Sequence, residues 1–573
     1  MGLIDTSLQI GKSALLSHSL AMDVVGNNIA NATTEGYARQ VVDLRSAQGV
    51  RTSEGPYLGL GVNAESIRRI SDFYLEQRLR DARSSLEDLK SRDESYGQIE
   101  GIFNELTNND LSSAMNSFFT ALNNVQANPE ERSVRTAAVE SAKTFTEAIR
   151  GLRDKLDQLR ANIDSEVTGA VSTANSITKQ LAEINVEILR LEAGGTKGGS
   201  ATALRDRRDM LLGQLSDIIE IRTVEQPSGM VNVFAGSDPL VMDSQSYDLQ
   251  TRARMDRGIL VSDVVFSSDS RPIDIKGGKL KGLIDARDTG CTEFIDGLDA
   301  WSAAFVDGFN RIHASGQGLD LYQSVTGTNG VSDPDAALNA AGLDYTPASG
   351  AFEVAVRNGA SGETKTFRFI VDLDGLGGND TTLTTLVADI NAAISAAYPE
   401  MSASVGAGNT LKIASSAPDV SFSFSNDTSG VLACLGVNTF FTGSDSKTIS
   451  INPLVEDNPA YLAAASTGMP GDNSNITKLL GFQQDSLDAL GGASVDSYYL
   501  GIVSTLGIRA ASARDRNTGG QAIYSAIQSQ REVLSGVSID EEAVKLIRYQ
   551  SGYTAAARFI ATIDEMIKTL LSM

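Results

Sequence analysis

The sequence has few of the residues that nucleophilic and metal chemistry depends on. Its 573 residues include two histidines, two cysteines and one tryptophan. Catalysis of the Ser-His-Asp or Cys-His type needs a base next to the nucleophile. His18 lies on an apolar helical stripe and His313 near a predicted helix end, so we assign neither a catalytic role. Cys291 and Cys434 lie far apart and outside any C-x-x-C pattern, which argues against a disulfide framework or a zinc ribbon. We expect both thiols to be free and buried.

Positive charge and long apolar runs are also lacking. The formal net charge is −24 and the isoelectric point is near 4.6, which argues against a surface that tracks nucleic-acid phosphates. No run approaches the roughly 20 consecutive apolar residues that a membrane-spanning helix needs. Asp5, Gln9 and Lys12 interrupt the N-terminal apolar residues, so no cleaved secretory signal is predicted. We therefore predict a soluble protein with no nucleic-acid or membrane partner, while export by another route stays open.

Acidic clusters offer two further candidates for chemistry. The stretch "DLDGLGGND" at 372–380 is similar to a calcium loop, but it lacks the D-x-[DN]-x-[DN]-G spacing and the glutamate at position twelve. Asp540, Glu541 and Glu542 fall in the first turn of a predicted helix, where carboxylates favourably meet the helix dipole. We predict a strand-connecting turn and a helix start, with no catalytic residue, cofactor or metal site.

Both ends of the chain carry apolar residues at alternating steps of four and three, the seam of a coiled coil. The N-terminal seam consists of Ile4, Leu8, Gly11, Leu15, His18, Met22, Val25 and Ile29. The C-terminal seam consists of Ile539, Ala543, Leu546, Gln550, Tyr553, Ala557, Ile560, Asp564, Ile567 and Leu571, after a break at Ser535, Gly536 and Ser538. We predict terminal helices over 1–35 and 534–573 that lie against other helices.

The central chain is long enough for several domains. Residues 36–69, with "GPYLGLGV", indicate an extended connector. Residues 70–316 predict a helical rod with a small β part. Its helices span 70 to about 106, 111 to about 126, 129 to 192 and 201–222, with Asn128 as the N-cap and Pro129 as the first residue of the third, and a hairpin follows at "MVNVFAGSDPLV".

The composition changes after Gly316. Residues 317–452 are rich in Gly, Ser, Thr, Asn and Asp and contain strand-like runs such as "AFEVAV", "KTFRFIVDL", "NTLKIA" and "VSFSFS", with one helix near 382–397. We interpret this span as an inserted, mostly β outer domain, and 453–533 as the return of the rod. The predicted fold class is mainly α with β insertions, with paired coiled-coil-like terminal helices.

The terminal seams predict folding on assembly. Burying eight stripe residues stabilises an isolated N-terminal helix by less than the conformational entropy that ordering its backbone removes. Pairing the two termini within one molecule leaves a thin two-helix coil with exposed faces. We therefore expect both seams to be ordered only among neighbouring copies.

The segment "GNNIANATTEGYAR" (26–39) follows the N-terminal helix. Its small residues allow close approach between neighbouring copies, and its asparagine amides offer hydrogen bonds. A helix end with an Asn cap and a turn at Glu35–Gly36 is a compatible interpretation. The predicted assembly residues are Ile4, Leu8, Leu15, Met22, Val25, Asn27, Asn28, Ile29, Asn31, Gly36, Tyr37, Leu546, Gln550, Tyr553, Ala557, Ile560, Ile567 and Leu571.

This segment resembles the N-terminal signature of the bacterial flagellar rod, hook and hook-associated proteins, which reads N-I-A-N and then T-x-G-Y. The matching residues are Asn28, Ile29, Ala30, Asn31, Thr34, Gly36 and Tyr37, with Glu35 where proline is frequent. The stretches 59–82, 128–135, 204–216 and 536–571 resemble the hook-associated members that form the hook–filament junction. The match covers about half of the chain and includes both ends.

The resemblance implies a non-enzymatic structural subunit, exported unfolded through the flagellar type III channel and extracellular in the flagellum. It would polymerise at the distal end of the hook, with its terminal helices as the inner tube and its central domains outside. The implied partners are further copies of itself, the hook protein, the second junction protein, and a cytoplasmic export chaperone that holds the C-terminal helix.

Two other functions are alternatives. One is a surface adhesin or a flagellin-like filament protein; flagellins share the helical termini but lack the N-I-A-N motif. A hydrolase would need a histidine, metal-ligand or paired-acid constellation within the insert, and residues 317–452 contain no histidine.

Overall fold

The computed structural model describes residues 3–34, 36–51, 57–103, 110–192 and 201–572. The chain is mainly helical with β regions between the helices, which confirms the predicted fold class. The helices are α1 (Leu3–Ala30), α2 (Phe73–Phe103), α3 (Leu111–Ala127), α4 (Arg132–Glu192), α5 (Thr202–Ile218), α6 (Lys279–Asp285), α7 (Cys291–Ala314), α8 (Leu383–Ile394), α9 (Val431–Cys434), α10 (Pro453–Asp457), α11 (Ser474–Gly481), α12 (Val495–Ser535) and α13 (Ile539–Ser572). Within the described ranges, no helix is both long and apolar enough to span a bilayer.

The strands pair in small antiparallel sheets. They are β1 (Gln40–Ser46), β2 (Val50–Arg51), β3 (Tyr57–Leu58), β4 (Val62–Arg69), β5 (Arg222–Glu225), β6 (Val231–Ala235), β7 (Asp238–Met242), β8 (Gln245–Ser246), β9 (Leu249–Asp256), β10 (Ile259–Phe266), β11 (Ser324–Thr326), β12 (Gly350–Asn358), β13 (Thr364–Val371), β14 (Met401–Val405), β15 (Leu411–Ser415), β16 (Val420–Ser425), β17 (Phe441–Thr442) and β18 (Ser450–Ile451). The predicted hairpin at 230–241 is β6–β7, and the four quoted runs of the insert lie on β12, β13, β15 and β16.

Two compact units divide the chain. Residues 1–95, 161–288 and 511–573 form the first unit, and residues 96–160 and 289–510 form the second. The predicted division into six segments remains a proposal. The predicted features at Glu35, at Gly55–Pro56, at the helix end near Leu106 and at the glycine pair after Glu192 lie outside the described residues.

In the first unit, β1 pairs with β4, β9 pairs with β10, and β5 to β8 form a four-stranded sheet in sequence order. The predicted connector at 36–69 therefore contains a paired hairpin. Apolar side chains of β1 and β4 pack on α1, including Val42 and Ile67 against a cluster formed by Ala21 and Val24. Gly61, directly before β4, has a φ of +91°, and an added Cβ would collide with the Ser13 hydroxyl of α1.

In the second unit, two three-stranded sheets, β13-β12-β16 and β11-β15-β14, share one core with α8. The inward side chains of the strands alternate as the sequence predicts, with Phe352, Val354 and Val356 of β12 buried. A separate aromatic cluster surrounds α7, where Phe305 stacks on Trp301 at 5.8 Å between ring centroids. The Trp301 indole donates to the Val495 carbonyl.

Neither cysteine forms a disulfide, and both are buried in the second unit, as predicted. Burial raises the pKa of the Cys434 thiol to about 12, although the Arg311 guanidinium beside it acts in the opposite direction.

The predicted start of the long helix at Asn128 and Pro129 is wrong. The Asn128 backbone N–H donates to the Asn124 carbonyl, so this residue closes α3, and α4 begins at Arg132. Pro129 lies in the turn between them, and the Arg135 guanidinium donates to its carbonyl at 2.8 Å. Asn followed by Pro suits a helix end and a turn as well as a helix start, so the dipeptide alone does not separate the two.

His313 is completely buried in the last turn of α7. Its Nδ1 lies 2.8 Å from the Asn438 carbonyl, and its Nε2 accepts from the Ala463 backbone N–H at 2.9 Å. The ring must therefore be neutral, with its proton on Nδ1, because a second proton on Nε2 would face a donor. Burial lowers the pKa of His313 to about 4; the Asn438 carbonyl opposes this change and the Arg135 guanidinium adds to it.

This burial predicts a pH-dependent stability of the second unit. Because the pKa of His313 is lower in the folded state than its ordinary value of about 6.5, the stabilisation is complete above pH 6.5 and is lost as the pH falls towards 4. Between these limits we expect the free energy of unfolding to fall by about 2–3 kcal/mol less in His313→Gln than in the unsubstituted chain. Urea unfolding at each pH, followed by the signal of the single tryptophan, measures this free energy of unfolding.

His18→Gln is the matched control, because it replaces the other histidine and leaves His313 in place. If the free energy of unfolding changes equally with pH in His313→Gln and in the unsubstituted chain, the lowered pKa of the buried His313 is contradicted.

Candidate assembly interface

The terminal helices α1 and α13 lie antiparallel within the first unit. Gly11 near the start of α1 faces Ile560 near the end of α13, and an added Cβ at Gly11 would lie 2.6 Å from the Ile560 Cγ1. Further along, an added Cβ at Gly552 would lie 2.8 Å from the His18 ring, which also contacts Tyr549 with ring centroids 6.1 Å apart. One glycine on each helix thus lets a bulky side chain of the other helix approach its backbone.

The buried face of α1 is wider than the predicted seam. Gly11 and Val25 of the seam are buried and His18, Met22 and Ile29 are half-buried, while Ser17, Ala21, Val24 and Asn28 beside the seam are buried as well. The wider face arises because α1 has two partners in its own chain. The hairpin of β1 and β4 covers the side of α1 that carries Ala21 and Val24, and the Ser17 hydroxyl donates to the Val62 carbonyl of β4.

A large apolar surface of the pair stays uncovered by its own chain. Among the predicted assembly residues, Ile4, Leu8, Gln550 and Leu571 are exposed, and Leu15, Leu546, Tyr553, Ala557, Ile560 and Ile567 are half-buried. Further exposed apolar residues of α13, absent from the predicted set, are Ile539, Val544, Ile547, Phe559 and Met566. Ile539 is on the predicted seam, and the other four lie off it. In the sequence, these four are recognisable as apolar residues at positions where a two-helix coiled coil usually has charged side chains.

Asn28 joins three elements at the end of this helix pair. Its Nδ2 donates to the Gln40 carbonyl at 2.8 Å and to a Glu542 carboxylate oxygen at 2.9 Å. Its Oδ1 accepts from the Gln40 backbone N–H at 2.9 Å and from the Tyr37 hydroxyl at 2.8 Å. The amide is fully buried, and these four bonds link α1, β1 and α13. In this structure Asn28 acts within its own chain, so the predicted contact of its amide with other copies does not follow.

Asn28, Tyr37, Gln40 and Glu542 form one hydrogen-bonded group, hereafter the node, and Glu542 is its acidic member. Its side chain is 1 % exposed and accepts from the Asn28 amide and from the Lys545 ammonium, the latter at 2.5 Å. Asp540, Glu541 and Glu542 lie in the first turn of α13, as predicted, and Glu542 is in addition a buried hydrogen-bond partner of Asn28. Asp540 and Glu541 are exposed, and Glu541 pairs with Arg39 at 3.3 Å.

Tyr37 connects the node to α5. Burial raises the pKa of Tyr37 to about 12, and the Asp206 and Glu542 carboxylates add to the rise, so its hydroxyl remains a donor at neutral pH. Arg69, at the end of β4, bridges Asp206 and Asp209 of α5 with both distances at 2.7 Å. The stretch 204–216 that carries these acids thereby holds the hairpin that covers α1.

The remaining residues of the signature shape the turn after α1. The Asn31 amide donates to the Asn27 carbonyl at 3.0 Å and to its side-chain oxygen at 2.6 Å, and Thr34 donates to Asn31 at 3.3 Å. Gly36 has a φ of +82°, which side chains other than glycine rarely adopt. The Asn-rich stretch after the helix is therefore a helix end and turn, in agreement with the second interpretation of the sequence.

The other chemical candidates have local roles in the structure. Asp372, Asp374 and Asp380 bring one carboxylate oxygen each within 4.8 Å of the others, and they accept from backbone and amide donors of their own loop. His18 lies between the terminal helices, as expected from its place on the stripe.

Comparisons with known proteins point to one group. A family model described as the flagellar hook-associated protein FlgK helical domain matches residues 96–329. Models described as the flagella basal body rod protein and the flagellar basal body rod FlgEFG protein C-terminal match residues 8–37 and 530–573. The two rod-protein matches include α1 with Asn28 and α13 with Glu542.

Curated relatives match the chain almost from end to end. Flagellar hook-associated protein 1 of Bacillus subtilis is 25 % identical, over 99 % of this chain and 97 % of its own length. The protein of the same name from Escherichia coli is 24 % identical, over 98 % of each chain. A solved structure, that of the flagellar hook junction protein FlgK from Burkholderia pseudomallei, has a TM-score of 0.53 at 16 % identity, covers 80 % of this chain and supports the fold.

The node makes Asn28 a test of the pairing. Asn28→Ala removes the hydrogen bonds to one oxygen of the buried Glu542 carboxylate and to the Gln40 backbone, so we expect it to destabilise the first unit by about 2–4 kcal/mol. The neighbouring Asn27→Ala removes one exposed local bond and should change stability by less than about 0.5 kcal/mol. Amide exchange at Gln40 and in the first turns of α13 measures both.

If the two alanine variants exchange at the same rate in these segments, the node does not hold the helices together.

Proposed function

Because the chain belongs to the flagellar rod, hook and hook-associated protein family, we propose that it is a structural subunit that polymerises at the distal end of the hook and forms the hook–filament junction. The observation that supports this best is the antiparallel pair of α1 and α13, fixed at one end by Asn28 and Glu542 and apolar on its uncovered side. The family is one of structural flagellar proteins, and we propose no enzymatic activity.

The uncovered side of the pair supplies the assembly surface in this proposal. Val544 and Ile547 are 68 % and 63 % exposed, and Leu571 near the end of α13 is 82 % exposed. Burying exposed apolar side chains of this kind against a second surface is favourable, because it removes them from water. Neighbouring copies of the same helix pair provide such a surface, so the pairs would pack side by side as the inner tube, with the other parts of both units outside.

The remaining partners are proposed from the family resemblance. The subunit would contact the hook protein on one side and the second junction protein on the other. Before export without a cleaved signal, a cytoplasmic chaperone would hold α13, whose exposed apolar residues are the type of surface that such a protein covers. After export it would be extracellular, in the flagellum.

A filament or adhesin subunit is a weaker proposal. The curated relatives reported above are hook-associated proteins, and this chain matches them along nearly their whole length. Asn28 of the N-I-A-N motif, which flagellins lack, also has a defined role in this fold, since it holds three elements together.

Substitution on the uncovered side should weaken assembly without unfolding the monomer. For Ile547→Ser we expect the critical concentration for polymerisation to rise roughly tenfold, because burying an isoleucine contributes about 1.5–3 kcal/mol and 1.4 kcal/mol corresponds to about tenfold. Sedimentation of polymer against total protein concentration gives the value. The control is Leu260→Ser in β10 of the same unit, where the leucine is also 63 % exposed.

An equal rise in both variants would indicate a general solubility effect and would remove the support for a surface on α13.

Amide exchange of the full chain should also separate monomer from polymer. We expect protection of 1–30 and 539–572 to increase by at least about tenfold on assembly, since the exposed apolar side of the helix pair is covered only then, while α7 is protected in both states. A chain lacking residues 1–30 should keep a folded second unit and fail to join the hook. Full protection of both termini in a dilute monomer would contradict folding on assembly.

A further inference from the structure

A polar cleft lies between α2, α5 and α12 in the first unit. It has a volume of about 170 Å³ and receives the guanidinium groups of Arg80 and Arg83 from α2 and of Arg531 from α12. Gly213 of α5 forms part of its wall, where an added Cβ would lie 3.0 Å from the Arg83 Nη1. The space corresponds to a few water molecules, or to one carboxylate or tetrahedral oxyanion.

Arg80 is a buried cation without a carboxylate in hydrogen-bond contact among the described residues. It is 6 % exposed, and its Nη2 donates to two neutral groups, the Gln77 side-chain oxygen at 3.2 Å and the Thr223 hydroxyl at 3.1 Å. Its Nε is buried and has no hydrogen-bond partner. No described residue accepts from its Nη1, which retains access to solvent. A buried positive charge destabilises the fold unless an opposite charge pairs with it.

The nearest carboxylates of the chain are bound to other donors. Asp209 accepts from Arg69 at 2.7 Å, Glu76 from Arg531 at 3.0 Å, and Asp81 from the Gln77 amide at 2.7 Å. Burial lowers the pKa of Arg80 despite the charges of these acids. Glu76 and Asp209 also line the cleft, but no carboxylate of the described residues accepts a hydrogen bond from Arg80.

Arg531 adds a second donor from the opposite wall. Its Nε pairs with Glu76 and its Nη2 donates to the Gly36 carbonyl at 3.3 Å, so both groups are fixed in position. Among the described residues nothing accepts from its Nη1. A planar guanidinium with a free edge is suited to the oxygens of a carboxylate, phosphate or sulfate.

We propose that this cleft is an oxyanion-binding site, in which Arg80 and Arg531 bind the oxygens of a carboxylate, phosphate or sulfate group. The group comes either from a free anion in solution or from an acidic side chain of a second copy in the polymer. The two sources present the same chemistry to the guanidinium groups and differ in whether the monomer alone binds.

The first experiment uses the full-length monomer and does not depend on the proposed function. Thermal unfolding is followed while sodium phosphate or sulfate replaces chloride at constant ionic strength. Specific binding raises the melting temperature with saturation in the millimolar range, whereas the general salting-out effect of these anions grows steadily with concentration. Arg80→Met should weaken the saturable component at least tenfold.

Arg78→Met is the matched control, because it removes the same charge from an exposed position of the same helix. It should keep the saturable component. If Arg80→Met does not fold, Arg531→Gln replaces it, with an expected loss of at least threefold in apparent affinity for phosphate.

The second experiment identifies an acidic side chain as the source. If the monomer binds neither phosphate nor sulfate, Arg80→Met should slow polymerisation at least fivefold relative to Arg78→Met at equal monomer stability. If the proposed junction function fails but saturable phosphate binding is lost in Arg80→Met, the oxyanion site stands. The proposal is overturned when Arg80→Met and Arg78→Met agree in both anion binding and polymerisation rate.

Discussion

The pairing of the chain's two ends depends on one buried amide. Asn28 uses both its donor and its acceptor atoms inside the protein, and its partners come from the turn after α1, from β1 and from the beginning of α13. An amide suits this position because it offers hydrogens to the Glu542 carboxylate and to a carbonyl while its oxygen accepts from a phenol and a backbone N–H. A carboxylate here would repel Glu542, and an apolar side chain would remove all four hydrogen bonds.

Around this amide, polar contacts determine where apolar packing occurs. Arg69 with its two aspartates fixes the hairpin on α5, the hairpin covers one side of α1, and α13 covers another. What remains of the apolar surface of α1 and α13 faces outward and is available for contact between copies. The Arg80 cleft lies in the same unit, so both proposed sites, one polar and one apolar, belong to the unit that carries the termini.

Much of the fold can be predicted from the local sequence pattern. The errors show which information a local pattern does not contain. Periodicity located α3, α5, the β6–β7 hairpin and the strands of the insert, because each buries one face against a nearby element. The seam of α1 accounts for only part of its buried face, since a helical repeat takes no account of a β hairpin as a second partner. Asn128 was assigned to the wrong helix because caps and turns use the same residue types. For the site, the signature pointed to the right segment, but Asn28 and Glu542 are separated by 514 residues, and no local pattern reveals that bond.

The two buried thiols have a consequence for the proposed assembly outside the cell. The Cys434 sulfur is buried, and its raised pKa keeps it in the thiol form, which is the unreactive state towards oxidants and disulfides. Cys291 is likewise enclosed by the fold. Crowded copies in an oxidising medium would therefore not become covalently cross-linked through sulfur, so every contact between them stays reversible and a misplaced subunit can still dissociate.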